Sequence, residues 1–118
     1  MTIPGDANSE SARTATIRAL NDRLRQTLQG GAVVLTAGIV ALGAEAQARI
    51  IAAVQAFDAF DEDNDPRGEH DFGALEVDGE KTFFKLEYYD LNRAMHSEDP
   101  ADPSKTERVL TIMLAGEY

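Results

Sequence analysis

The sequence predicts an α+β domain, with two helices packed on a mostly antiparallel four-stranded sheet in the order α-β-α-β-β-β. Three observations carry this expectation. Apolar residues recur every three or four positions in two stretches, over residues 17–28 and 44–60. After the acidic stretch that ends near residue 71, the apolar period drops to two. Between two such alternating runs lies Asp78-Gly79, a strong hairpin signal because a type I′ turn needs positive φ at both central residues.

The elements follow in order. Residues 1–10 hold Asp6 and no basic or apolar cluster, so they read as a disordered lead-in and not as a secretion signal. The single α+β domain is expected over residues 11–118. Its first helix runs from about Ser11 to Leu28, with Ile17, Leu20, Leu24 and Leu28 on one face and Arg18, Arg23 and Arg25 mostly off it. Gly30 and Gly31 follow, as expected for a helix end. Ala32–Thr36 is apolar and β-branched, a buried strand. Ile39–Leu42 reads either as a turn of helix or as an apolar connector. The second helix spans Ala44 to Phe60, with Ile50, Ile51, Val54 and Phe57 buried and Phe60 at the core or its rim.

The two-residue turn at Asp78-Gly79 pairs Val77 with Glu80, Glu76 with Lys81, Leu75 with Thr82 and Phe72 with Lys85. Leu75, Val77, Phe84, Leu86 and Tyr88 then share the core face. Glu76, Lys81, Phe83, Lys85, Glu87 and Tyr89 share the other, half charged and half aromatic. Pro100 and Pro103 place residues 92–106 in a loop. Arg108–Leu114 is apolar on both faces, so it belongs in the middle of the sheet.

The chain has 118 residues, no Cys and a net charge of −10. Disulfides, thiolate metal sites and thiol nucleophiles are excluded. Between Asp58 and Glu80 ten acids face one base, Arg67, a balance of −9; the rest of the chain holds −1. Direct nucleic-acid or anionic-membrane binding through this stretch is disfavoured, whereas proteins that bind nucleic acid would be attracted to it. Residues 26–44 carry no charge but are interrupted by Gln and four glycines, so no membrane span is expected. A cytoplasmic location is.

The acidic stretch DAFDEDNDPRGEHDFG holds the chemical candidates. Asp61, Asp63 and Asp65 match positions 1, 3 and 5 of a calcium loop. Pro66 and Phe72 occupy the positions where Gly and a bidentate Glu are needed, and a strand follows where a helix should. Glu69-His70-Asp71 offers an acid–base or metal-ligand set. In the hairpin register, however, His70 falls opposite Glu87, and a cross-strand pair accounts for it. His96 is remote, and no H-x-H, H-E-x-x-H, E-x-K, G-x-S-x-G or phosphate-loop pattern occurs. No catalytic residue, metal ligand or cofactor is expected. The stretch reads either as a solubilising charge run or as a partner surface, in which Asp61, Glu62, Asp63, Asp65, Glu69, Asp71 and Glu76 meet basic residues and Phe72 adds an apolar anchor.

IRALNDRLRQT, VVLTAGIVAL, FDAFDEDNDPRGEHDFGALEVDGE, KLEYYD and RVLTIMLAGEY, in that order, resemble a family of small alphaproteobacterial proteins of unknown function. Its genes are often found among those of plasmids, phages and other mobile elements. The resemblance spans Ile17 to Tyr118, and Asn64–Gly73 is its most specific part. It implies a mobile-element context and brings no catalytic residues. Small acidic proteins in that context include anti-CRISPR inhibitors. The expected function is therefore inhibition of a basic nucleic-acid-binding protein or CRISPR effector complex through the acidic surface. The alternatives are a metal-binding or metal-dependent module built on His70, and a structural or regulatory protein in which the loop has no specific role.

Overall fold

The computed structural model describes residues 5–118. Helix α1 (Gly5–Thr27) leads to strand β1 (Ala32–Leu35), a one-turn helix α2 (Ala37–Val40) and helix α3 (Ala44–Ala56). Strands β2 (Phe72–Val77), β3 (Glu80–Tyr89) and β4 (Glu107–Leu114) follow, and a 3-10 turn (Ala115–Glu117) closes the chain. Helical backbone thus starts at Gly5, six residues before the expected Ser11. Residues 1–4 of the expected lead-in lie outside the described residues.

The four strands form one sheet in the order β1-β4-β3-β2. It is mixed, not mostly antiparallel as the sequence suggested. β2–β3 and β3–β4 are antiparallel, but β1 runs parallel to β4. The cause is the route of the chain. Helix α3 carries it across the sheet, so β2 starts in the same direction as β1, and two hairpin reversals return β4 to that direction. β4 lies centrally, as its two apolar faces require.

The hairpin register agrees with the turn chemistry: Val77 pairs with Glu80, Glu76 with Lys81, Leu75 with Thr82 and Phe72 with Lys85. Asp78 and Gly79 both have positive φ, 53° and 83°, the type I′ signature. Across the same ladder Gly73 faces Phe84. A Cβ at residue 73 would fall into the Phe84 ring, so the missing side chain is what lets that ring lie against β2.

The core sits between one sheet face and the helices. Ile17 and Leu24 of α1, Ile50 and Val54 of α3, and Phe84, Leu86, Tyr88, Leu110 and Ile112 of the sheet are its buried members. Ile39 of α2 joins them, so the connector after β1 is a turn of helix. The opposite sheet face carries Phe72, Phe83 and Tyr118 in mutual contact, with ring centroids 5.2 to 5.9 Å apart.

Two helix ends differ from expectation. The left-handed residue that stops α1 is Leu28 itself, φ 61°, held there while its side chain packs on the core. Helix α3 ends at Ala56, four residues before the expected Phe60, because Phe57 turns extended at ψ 131°. Arg25 accounts for the stop. Its guanidinium, 2% exposed, donates from Nη1 to the carbonyls of Val54, Gln55 and Phe57 at 3.0, 3.2 and 2.7 Å. A cation on the orphan carbonyls of a helix C-terminus satisfies them and complements the helix dipole. Arg25 was expected to lie off the buried face. Its long stem instead reaches through the core, under the rings of Phe60 and Phe84.

Candidate functional site

The loop between α3 and β2 builds its own shape from its polar side chains. Asp61 Oδ1 accepts from the N–H groups of Asp63 and Asn64, both at 2.9 Å, the Asx arrangement that fixes a turn. Asn64 answers in both directions, accepting from Asp61 N–H and donating to Ala59 O. Asp65 closes the second turn: its Oδ1 accepts from His70 N–H at 3.1 Å. Gly68 and His70 both have positive φ, 71° and 55°. At Gly68 this costs little; at His70 it strains the backbone.

That turn at His70 changes its role. A residue in register with β3 would lie opposite Glu87, as the sequence suggested. The left-handed backbone at residue 70 takes it out of the ladder and swings the ring under the loop. There Nδ1 donates to Asp22 Oδ1 of α1 at 2.9 Å, and Nε2 lies 3.7 Å from Asp65 Oδ2. The ring stacks flat on Phe60, 3.8 Å between centroids. Asp22 Oδ1 also accepts from Arg25 Nη2 at 3.1 Å, so one carboxylate joins the loop histidine to the buried arginine.

A second network runs beside it. Asn21, fully buried, donates to the Tyr88 hydroxyl at 2.8 Å and to Glu69 O at 3.0 Å, and accepts from Arg108 Nε at 2.6 Å. Tyr88 in turn donates to Glu69 Oε1 at 2.8 Å. Arg108 reaches Pro100 O with Nη2 and lies over the Tyr88 ring. Arg18 adds a bond to Gly68 O at 2.9 Å. Burial, with the Glu69 carboxylate alongside, pushes the Tyr88 hydroxyl far above the ordinary phenol value. Burial also pulls Arg108 below its usual value, opposed by Tyr88 and Glu69. Asp65 is held above the ordinary carboxylate value by burial, against the lowering effect of His70 N–H.

The expected partner-binding residues therefore divide. Asp61, Glu62, Asp63 and Glu76 are exposed. Asp65 is buried, and Glu69 and Asp71 are half-buried. Asp65 and Glu69 spend their carboxylates inside the fold, and Asp71 offers its carbonyl to Leu86 N–H at 2.8 Å. Phe72 and Glu76 project from the sheet face away from the helices, and Phe72 joins the Phe83–Tyr118 cluster. The eight residues do not form one surface. The exposed acidic rim is Asp58, Asp61, Glu62 and Asp63. Within it Asp61 is committed to the loop turn, while Asp58, Glu62 and Asp63 keep carboxylates free of internal hydrogen bonds among the described residues.

Asn21, Asp22, Arg25, Tyr88 and Arg108 were not singled out as polar partners in the sequence. One signal was there: Asn21 lies four residues after Ile17 and three before Leu24, on the apolar stripe itself. A polar residue on a buried stripe demands partners. Among the described residues no group of three or more His, Asp or Glu side chains is arranged to hold a metal ion, and no helix is long and apolar enough to cross a membrane.

No curated protein and no solved structure matches the chain. A family model does match, over residues 35–117. That span takes in α2, α3, the acidic loop, the hairpin, β4 and Glu117, and it leaves out α1 and most of β1. The chain belongs to the family described as Protein of unknown function (DUF3768).

Proposed function

We propose that the protein acts by binding, not by catalysis, and that its partner is a protein whose basic surface otherwise holds nucleic acid. The acidic rim Asp58, Asp61, Glu62 and Asp63 supplies the charge. Its support is the bonding within the loop: Asp61 and Asn64 fix the turn that carries Glu62 and Asp63, and Arg18, Asn21, Asp22 and Asp65 hold Gly68, Glu69 and His70 behind it. A preorganised set of carboxylates loses little entropy on binding and can replace phosphates at an Arg- and Lys-rich site. The most concrete form is an inhibitor encoded on a mobile element, of the anti-CRISPR kind, that blocks nucleic-acid binding by a host defence complex.

The test is reversal of the free charges. Asp58→Lys, Glu62→Lys and Asp63→Lys together leave the internal bonds of the loop in place. Partner capture by the unaltered chain should weaken steeply with salt and be lost in the triple variant. Retention by the folded variant removes the acidic rim from the mechanism.

A further inference from the structure

Three of the four prolines follow an aspartate: Asp65-Pro66, Asp99-Pro100 and Asp102-Pro103. An Asp-Pro bond carries its own means of scission. The side-chain carboxyl reaches the adjoining carbonyl carbon by closing a five-membered ring, and a nucleophile held in the same residue acts at a very high effective concentration. The proline nitrogen, which has no N–H, leaves as a secondary amine. That nitrogen must take up a proton as it leaves, so the carboxyl has to bring one.

The three bonds share one backbone setting and differ at the carboxyl. Each Asp carbonyl accepts the N–H three residues on: Asp65 O from Gly68 at 3.0 Å, Asp99 O from Asp102 at 2.9 Å and Asp102 O from Lys105 at 3.1 Å. Asp99 Oδ1 is in an ion pair with Arg13 Nη2 at 3.0 Å and accepts from Ala101 N–H at 3.2 Å. Asp102 Oδ1 accepts from Ser104 Oγ at 2.6 Å and Ser104 N–H at 2.9 Å, and these bonds hold its carboxyl below the ordinary value.

Asp65 is different. Its side chain is 5% exposed. Oδ1 accepts from His70 N–H at 3.1 Å, and Oδ2 lies 3.7 Å from His70 Nε2. The ring gives its Nδ1 proton to Asp22, so a neutral His70 turns the lone pair of Nε2 toward Asp65 Oδ2. Two lone pairs then face each other, and one proton between them satisfies both. Burial, opposed by the His70 N–H, raises the Asp65 carboxyl above its ordinary value, so this carboxyl keeps its proton to higher pH than an exposed one. Pro66 is exposed, and water reaches the bond from that side.

We propose that the chain cuts its own backbone between Asp65 and Pro66. A carboxyl oxygen of Asp65 adds to the carbonyl carbon of the same residue, while Gly68 N–H steadies the charge that gathers on the carbonyl oxygen. The carboxyl proton passes by way of His70 Nε2 to the Pro66 nitrogen. The C–N bond breaks, its electron pair stays with nitrogen, and Asp65 is left as a cyclic anhydride. One water opens the anhydride and leaves Asp65 with two carboxyls at a new chain end. Peptide and water thus give an acid and an amine, once per chain. The cut falls between the turn that carries Glu62 and Asp63 and the segment Gly68–His70 that α1 holds, so it frees the acidic rim from its anchor.

Mass spectrometry of the purified full chain, held for days in mildly acidic to neutral buffer, tests this. Fragments 1–65 and 66–118 should accumulate. Asp99-Pro100 and Asp102-Pro103 are controls within the same molecule and should break at least about a hundredfold more slowly. In urea the three carboxyls have similar surroundings, and the three rates should converge. His70→Asn suits the left-handed backbone and removes the proton carrier; Pro66→Ala restores a secondary amide. Each should bring scission at residue 65 down to the control level. A folded chain that stays whole, equal rates at the three bonds, or a rate at residue 65 indifferent to His70→Asn overturns the proposal. If that variant fails to fold, the unaltered chain decides alone: the same ratio of rates with and without urea rejects it.

Discussion

His70 Nδ1 donates to Asp22 Oδ1 across 2.9 Å, and this bond joins those from Arg18 to Gly68 O and from Asn21 to Glu69 O in coupling the acidic loop to α1. Because Asp22 also holds Arg25, which caps α3, three elements meet at one carboxylate. Asp22→Asn keeps the volume and weakens both charged bonds. It should cost about 1–3 kcal/mol in urea unfolding and speed amide exchange at Glu69 and His70. Unchanged exchange at those amides would show that the loop is held by other contacts.

Asn21 is the centre of the neighbouring network. Asn21→Ala leaves the Tyr88 hydroxyl and Arg108 Nε without their buried partner, and a loss of about 2–4 kcal/mol is expected. Combined with Arg108→Met, the losses should be less than additive, since both variants break the same bond. A double-mutant cycle by chemical denaturation measures the coupling; strict additivity would mean the two side chains act independently.

Gly73→Ala probes the fit of β2 beneath the Phe84 ring. The new methyl must displace a fully buried aromatic side chain, at a cost of about 1–3 kcal/mol. Phe84→Leu, destabilising by itself, should reduce the extra penalty of the Gly73→Ala change. Thermal unfolding of the two single variants and the double variant checks this, and a neutral Gly73→Ala would contradict the close approach.

Glu117 ties the end of the chain to the start of α2. Its carboxylate accepts from Thr36 Oγ1 at 2.6 Å and from the N–H groups of Leu114 and Gly38, both at 2.9 Å. These bonds, led by Thr36, hold its carboxyl below the ordinary value of 4.5. A carboxylate with a depressed folded pKa contributes stability above its unfolded pKa and loses it as pH falls through the folded value. Glu117→Gln should therefore lower the melting temperature at pH 7, and the gap should close in acid below the folded pKa. A gap of the same size across the whole range would show that charge is not involved.

Much of the fold was legible because local rules agree with the tertiary structure there. Asp78-Gly79 dictates its own turn and, through it, the whole β2–β3 register. The apolar pattern of Arg108–Leu114 places that strand centrally. The direction of β1 was not legible, because it depends on how α3 crosses the sheet, and no local signal encodes that. Arg25 was misplaced because helical periodicity sorts residues by chemical type, and a long cation that caps another helix from within the core is an exception periodicity cannot mark. His70 was misplaced because the register was extended two residues past Phe72, the last paired position, into a left-handed position that a histidine rarely takes. Of the acidic residues, sequence identified the segment but not which carboxylates face solvent: Asp65 and Glu69 are consumed by the fold, whereas Asp58, Glu62 and Asp63 are not.

The most direct test compares the unaltered chain with the Asp58→Lys, Glu62→Lys, Asp63→Lys variant as bait in bacterial lysate, at low and at high salt, with captured proteins identified by mass spectrometry. Circular dichroism first establishes that the variant keeps its fold. The account predicts that the unaltered chain captures a basic nucleic-acid-binding protein or complex at low salt, that high salt releases it, and that the folded variant captures none of it. Equal capture by the two chains, or capture that high salt leaves intact, would contradict binding through the acidic rim.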